Sequence, residues 1–295
     1  MYSAAEPQVE GGILPYITTQ DGTRLYYEDR PARNAQRASG ETLLVIHGLG
    51  SSHYDLADFI DDLSQEHRVV LYDQRGHGDS DRARLHLNVR TLGQDLNDVV
   101  THLGLEGVTA VGHSMGAAAT FSYVNQYGTG RLRRVVAVDM SPYLRNDGWK
   151  GGIGKGEWSD EDFHSDLDRI FDDGAYGSWF IAKTLMNPRL QELSAQEEAA
   201  AIAAMRKSVD PLVFAALWYS LFRTDQRPAM DKIDVPFLYL MPETPLYSTV
   251  NTDYIRDHVR GGFTLADDFP GTSHLLLSEV PHEAARCVKD FIGNS

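Results

Sequence analysis

The chain has 295 residues, and 27 Lys and Arg against 42 Asp and Glu leave a net charge of −15 with histidines neutral. That length fits one large domain or one domain carrying an insertion, and a hydrophobic fraction of 42% supplies a sizeable core, which excludes a disordered or fibrous chain. The acidic balance, offset by no local basic cluster, repels phosphate backbones and anionic lipid heads, so neither nucleic acid nor a membrane surface is an expected partner. A single cysteine, Cys287, excludes an intramolecular disulfide and a Cys-rich metal site and points to a reducing compartment. The opening MYSAAEPQVEGG has neither a basic nor an apolar leader segment, and no stretch approaches the ~18 to 20 apolar residues of a spanning helix. A soluble cytoplasmic protein, monomer or homodimer, is the expectation.

In chain order, Leu14 to Thr19 and Arg24 to Glu28 read as strands joined by Asp21-Gly22, a hairpin signal. Thr42 to Ile46, Arg68 to Tyr72, Val108 to Val111 and Val135 to Val138 are short, continuously apolar and rich in β-branched residues, the pattern of strands buried on both faces of a parallel sheet. Between them Leu92, Leu96, Val99, Val100 and Leu103 mark one face of a helix. Alternating strands and helices predict an α/β sheet covered on both sides.

From Tyr143 to Met230 the strand signal stops and helix starts take over: Ser159-x-x-Asp162 and Ser194-x-x-Glu197 are capping boxes, and Asp210-Pro211 is a cap followed by a first-turn proline. Strands resume at Val235 to Met241 and Phe263 to Phe269, and Glu283 to Ile292 reads as a closing helix. The expected organisation is a core of residues 13–142 and 231–295 with a helical cap, residues 143–230, inserted between strands 6 and 7.

The strongest chemical signal is Gly112-His113-Ser114-Met115-Gly116, directly after one strand and before a helix. Glycines flanking a serine permit a sharp strand-to-helix turn that leaves the hydroxyl exposed at the sheet edge. A serine hydroxyl is a weak nucleophile and needs a base that is itself oriented by a third group. Among 11 histidines, His274 in Gly271-Thr272-Ser273-His274 sits between the last strand and last helix, where a loop can return it to the serine. His67, His86 and His102 read as solvated, His77 as structural, and His113 as packing behind the serine. An oxyanion formed at the serine needs fixed donors. The Met115 amide and, from His47-Gly48-Leu49-Gly50, the Leu49 amide are placed for that task.

The motifs IHGLGSS, YDQRGHGDS, VGHSMG and GTSH, in this order and on alternating strands, resemble the α/β-hydrolase fold superfamily over nearly the whole chain, and VVAVDMSPY resembles a branch of small-substrate serine esterases. The resemblance implies a mostly parallel twisted sheet flanked by helices and a helical cap. It also implies Ser114 as nucleophile, His274 as base, Leu49 and Met115 as oxyanion donors, and an acid after the sixth strand. One departure stands out. Where many members carry an aspartate after the seventh strand, this chain reads Met241-Pro242-Glu243-Thr244-Pro245, which leaves Asp139 as the expected acid and Glu243 as its alternative.

No dinucleotide fingerprint, P-loop or His-Glu-x-x-His run is present, so neither cofactor nor metal is expected. The inserted segment is rich in aromatic residues, and His113, Trp158, Trp179, Trp218 and Phe222 are candidates to line a substrate pocket. The expected function is cleavage of a small, largely apolar carboxylic ester, thioester or lactone through an acyl-serine. The alternatives are a carbon–carbon bond hydrolase, a perhydrolase, an acyltransferase, or a receptor-like member that binds a small ligand without turnover.

Overall fold

The computed structural model describes residues 15–34, 40–208 and 210–293. The segment MYSAAEPQVEGG, Leu14 of the expected first strand, and both extreme ends of the expected core lie outside the described residues. In chain order come β1 (Tyr16–Thr18), β2 (Arg24–Arg30), β3 (Thr42–Ile46), α1 (Ala57–Leu63), β4 (Arg68–Tyr72), α2 (Val89–His102), β5 (Val108–His113), α3 (Met115–Tyr127) and β6 (Leu132–Val138). Five helices follow with no strand among the described residues: α4 (Asp160–Asp172), α5 (Gly174–Ile181), α6 (Ala195–Ser208), α7 (Pro211–Arg223) and α8 (Arg227–Met230). The chain ends with β7 (Phe237–Leu240), α9 (Thr249–His258), β8 (Phe263–Ala266), α10 (Leu276–Glu279) and α11 (Pro281–Gly293).

The strands form one eight-stranded sheet in the order β1-β2-β4-β3-β5-β6-β7-β8. The β1–β2 hairpin turns at Asp21-Gly22, with Ile17 opposite Leu25. β2 runs antiparallel to β4, and every pairing from β4 through β8 is parallel. Because successive side chains of a strand face opposite ways, each central strand feeds two cores. Leu44 and Ile46 of β3 join Val135 and Ala137 of β6 in the core beneath α2 and α3, whereas Leu43 and Val45 join Val136 and Val138 in the core beneath α1 and α11. Among the described residues, no helix is long and apolar enough to cross a membrane.

Helix caps follow the sequence signals. Ser159 and Asp162 exchange capping bonds at the start of α4, Ser194 and Glu197 do so before α6, and the Asp210 side chain caps α7 ahead of Pro211. Three expectations need correction. β7 begins at Phe237 because Pro236 has no N–H to give the ladder, although its carbonyl accepts from Val135 N at 3.0 Å. β8 ends at Ala266, where the exposed pair Asp267 and Asp268 leaves the sheet. His67 is buried rather than solvated, and burial lowers its imidazole pKa. The inserted helices pack on the sheet domain: Val213 of α7 rests against Gly76, whose Cβ, if present, would lie 2.5 Å from Val213 Cγ1, and α8 packs on α3.

Candidate active site

The carboxyl ends of β3, β5 and β6 open on one edge of the sheet, and each carries a residue of interest there. β5 turns into α3 at Ser114, which adopts φ 52° and ψ −118°. A non-glycine residue in that region costs on the order of 1–3 kcal/mol and persists only where its surroundings hold it. Here Ser114 N donates to Val138 O at 3.0 Å, and Ser114 O accepts from Ala117 N at 2.9 Å and Ala118 N at 3.1 Å. Both glycines of the pentapeptide are steric necessities. A Cβ on Gly112 would sit 2.5 Å from Ala117 N, and one on Gly116 would sit 2.1 Å from Ile46 O.

His274 Nε2 lies 2.9 Å from Ser114 Oγ, positioned to accept the hydroxyl proton. On its other side, His274 Nδ1 donates to Asp139 Oδ2 at 2.7 Å. Asp139 follows β6 at φ 40°, is wholly buried, and accepts a second bond from Leu246 N at 3.0 Å; its Oδ1 has no protein partner among the described residues. Glu243, the alternative acid, is exposed and bonds instead to the amide of Gly271.

The loop after β3 is built around two neutral histidines. His47 Nε2 accepts from Gln74 N at 2.9 Å, and His77 Nε2 accepts from Gly50 N at 3.0 Å while its Nδ1 donates to Arg75 O at 3.0 Å. Burial pushes the His77 imidazole down to about 3 and lowers that of His47, which keeps both rings uncharged acceptors. With the Gly50 amide engaged by His77, the Leu49 amide is left without a protein acceptor among the described residues, and the Met115 amide at the start of α3 is in the same state. An unpaired helix-terminal amide beside a hydroxyl suits an incoming oxyanion. His113 packs behind the serine: its Nε2 donates to the carbonyl of His274 at 2.7 Å, and burial lowers its pKa to about 3.

A cavity of about 310 Å³ opens over Ser114. Its polar end is formed by Gly48, Leu49, His113, Ser114 and His274, and its apolar walls include Leu56, Trp179, Ala182, Met186, Leu190 and Phe214. Of the residues the sequence offered for a pocket, His113 and Trp179 line this cavity. Trp158, Trp218 and Phe222 do not line this cavity. Trp158 Nε1 donates to Asp166 at 3.2 Å inside the insertion, and Phe222 stacks on Phe163 with ring centroids 3.9 Å apart beside Trp218. Trp218 and Phe222 knit α7 to Phe163 of α4, and among the described residues of α7 it is Phe214 that reaches the cavity. Met186 and Leu190 could not be picked out from the sequence because Met186 ends a π turn, Ala182–Met186, that shifts helical phase, and Leu190 follows it. Among the described residues, no group of three or more His, Cys, Asp or Glu side chains is disposed to hold a metal ion.

An eight-stranded, mostly parallel sheet with a serine on the β5-to-α3 turn, a histidine after β8 and helices inserted after β6 is the α/β-hydrolase fold. Residues 41–153 match the family model described as alpha/beta hydrolase fold. The chain is 35% identical over 132 residues to non-heme chloroperoxidase CPO-A1 of Kitasatospora aureofaciens, covering 44% of this chain and 45% of that protein. It is 32% identical over 133 residues to the bifunctional esterase/perhydrolase DCH of Acinetobacter calcoaceticus, covering 44% and 46%. These matches span about half the length of the curated relatives. Among solved structures, the esterase EaEST from Exiguobacterium antarcticum superposes with a TM-score of 0.79 at 17% identity, covering 96% of this chain and all of that one, a likeness of fold.

Proposed function

We propose that the protein is a serine hydrolase that cleaves a small, largely apolar carboxylic ester, thioester or lactone through an acyl-serine intermediate. The observation that carries this reading is the unbroken chain Ser114 Oγ, His274, Asp139, with links of 2.9 and 2.7 Å, beneath a mostly apolar cavity. Ser114 Oγ attacks the substrate carbonyl while its proton passes to His274 Nε2, and the carbonyl oxygen becomes an oxyanion received by the Leu49 and Met115 amides. Asp139 holds the imidazole in the tautomer with Nδ1 protonated and stabilises the imidazolium. Collapse expels the alcohol or thiol, which takes the proton from His274, and in a lactone the leaving oxygen stays attached. Water, deprotonated by the same histidine, then attacks the acyl-serine, releasing the acid and restoring Ser114.

The inserted helices act in this reading as a cap whose residues Trp179, Ala182, Met186 and Phe214 receive the acyl or alcohol group. Among the described residues no lysine or arginine lines the cavity and Asp55 is its charged side chain, which disfavours anionic substrates. Relatives named chloroperoxidase and esterase/perhydrolase support a second reading, in which hydrogen peroxide replaces water at the acyl-serine and a peracid is released. The single cysteine fits a cytoplasmic setting.

The test is hydrolysis of a series of neutral p-nitrophenyl esters of increasing acyl length, with Ser114→Ala as control and hydrogen peroxide as competitor for water. The reading expects turnover that peaks at short to medium chains and falls by at least about a thousandfold in Ser114→Ala. No turnover across the series, or turnover that survives Ser114→Ala, overturns it. Peracid formation in preference to hydrolysis selects the perhydrolase reading.

A further inference from the structure

The inserted helices touch the His274 loop through two hydrogen bonds that the chemistry above does not use. His274 N donates to Met186 O at 3.1 Å, and Asn187 Nδ2 donates to Glu279 Oε1 at 3.0 Å. Glu279 in turn grips the residue before the histidine: its Oε2 accepts from Ser273 N at 2.6 Å and its Oε1 from Ser273 Oγ at 2.8 Å. Ser273 Oγ also accepts from Leu275 N at 3.3 Å, so the residues on both sides of His274 hang from one carboxylate.

Asn187 is fixed at both ends. Its Oδ1 accepts from Arg189 N at 3.0 Å, and its own N–H donates to Ala182 O at 3.0 Å, closing the π turn Ala182–Met186. π turns inserted in helices recur at functional sites. In this one, Ala182 and Met186 are walls of the cavity over Ser114. The same short segment thus contacts the space for the substrate, the main chain of His274, and the carboxylate that holds the His274 loop.

We propose that Asn187 is a positioning residue for the reaction: through Glu279 and Ser273 it locks the His274 loop so that Nε2 stays aligned with Ser114 Oγ. The inference rests on the proposed function, because it takes His274 to be the base. Asn187 touches neither the serine nor the cavity; it acts through the loop. A positioning link costs turnover rather than binding when it is cut, because the cavity walls remain while the base drifts from alignment.

The donor and acceptor of this link can be exchanged. Asn187→Asp keeps the oxygen that caps Arg189 N but sets a carboxylate against Glu279. Glu279→Gln keeps an acceptor for Ser273 N but turns an amide N–H toward Asn187. Together the two changes restore one donor and one acceptor with reversed polarity. Asn187→Ser provides an independent cut, since it preserves the capping oxygen and is too short to reach Glu279.

The experiment measures kcat and KM for a p-nitrophenyl ester, with kcat expressed per site titrated by a fluorophosphonate so that misfolded protein is not counted. Each single variant is expected to lose about tenfold in kcat with KM changed by less than about threefold, and the Asn187→Asp, Glu279→Gln double variant to recover to within about threefold of wild type. Single variants within about twofold of wild type, or a double variant whose losses multiply, overturn the positioning role and leave the proposed function standing. Wild-type protein that does not label at Ser114 overturns both.

Discussion

A carboxylate with no exposed surface is expensive to ionise unless a partner stands beside it, and Asp139 has one in the imidazole of His274. The exposed Glu243 carboxylate accepts from the Gly271 amide, so the two candidate acids differ sharply in what their loss removes. Asp139→Asn preserves shape and removes charge, leaving a side chain that cannot hold the reactive tautomer. Loss of that function with geometry intact can reach about 10⁴ in kcat. We expect a loss of at least about a hundredfold for Asp139→Asn and less than about tenfold for Glu243→Gln, read as kcat of ester hydrolysis. The opposite ordering would assign the acid to the loop after β7. The sequence favoured Asp139 and kept Glu243 as its alternative, because a firm choice depends on where the chain after β6 and the loop after β8 meet in space. Backbone strain carries the same information: Ser114 and Asp139 both have positive φ without being glycine, a property no residue type announces.

At the scale of elements, the strand-to-helix turn was fully legible, because Gly112 and Gly116 are dictated by contacts with α3 and β3 that any such turn must make. The inserted helices were legible as helices, through caps at Ser159, Ser194 and Asp210, but not as to which faces look inward. Amphipathic spacing marks Trp218 and Phe222 as buried equally well whether they meet substrate or Phe163, and only packing separates the cases. Two expectations follow. Phe214→Ala, which enlarges the cavity, shifts the preferred acyl length upward by two or more carbons, whereas Trp218→Ala lowers the melting temperature and leaves the preference where it was; rate measurements on the ester series, paired with calorimetry, check both. Asp166 supplies the second. It is buried in α4, and burial raises its pKa to about 7, against about 3.9 for an aspartate in an unfolded chain. Between those values the folded protein holds a proton that the unfolded chain has released, so this group's contribution to stability falls as pH rises through the window. Asp166→Asn, which keeps an acceptor for Trp158, is expected to raise the melting temperature at pH 8 by several degrees and to have little effect at pH 4. An equal shift at both pH values would contradict the assignment.

Across the whole molecule, the sheet and its order of motifs follow from patterning alone: continuous apolar strands at β3 to β7 can only be buried on both faces, and helices between them must cover the sheet. What the pattern could not carry is the seam between the inserted helices and the sheet domain, where Val213 meets Gly76 and Met186 meets the amide of His274. Such contacts join residues far apart in the chain with no shared period, and they shape the cavity. Whether Ser114 is a working nucleophile activated by His274 is read by reaction with a fluorophosphonate followed by peptide mass spectrometry. One adduct per chain is expected, located on Ser114, absent in Ser114→Ala and formed at least about a hundredfold more slowly in His274→Ala. A chain that hydrolyses esters yet carries no adduct on Ser114, or carries it on another residue, would show that Ser114 is not the nucleophile.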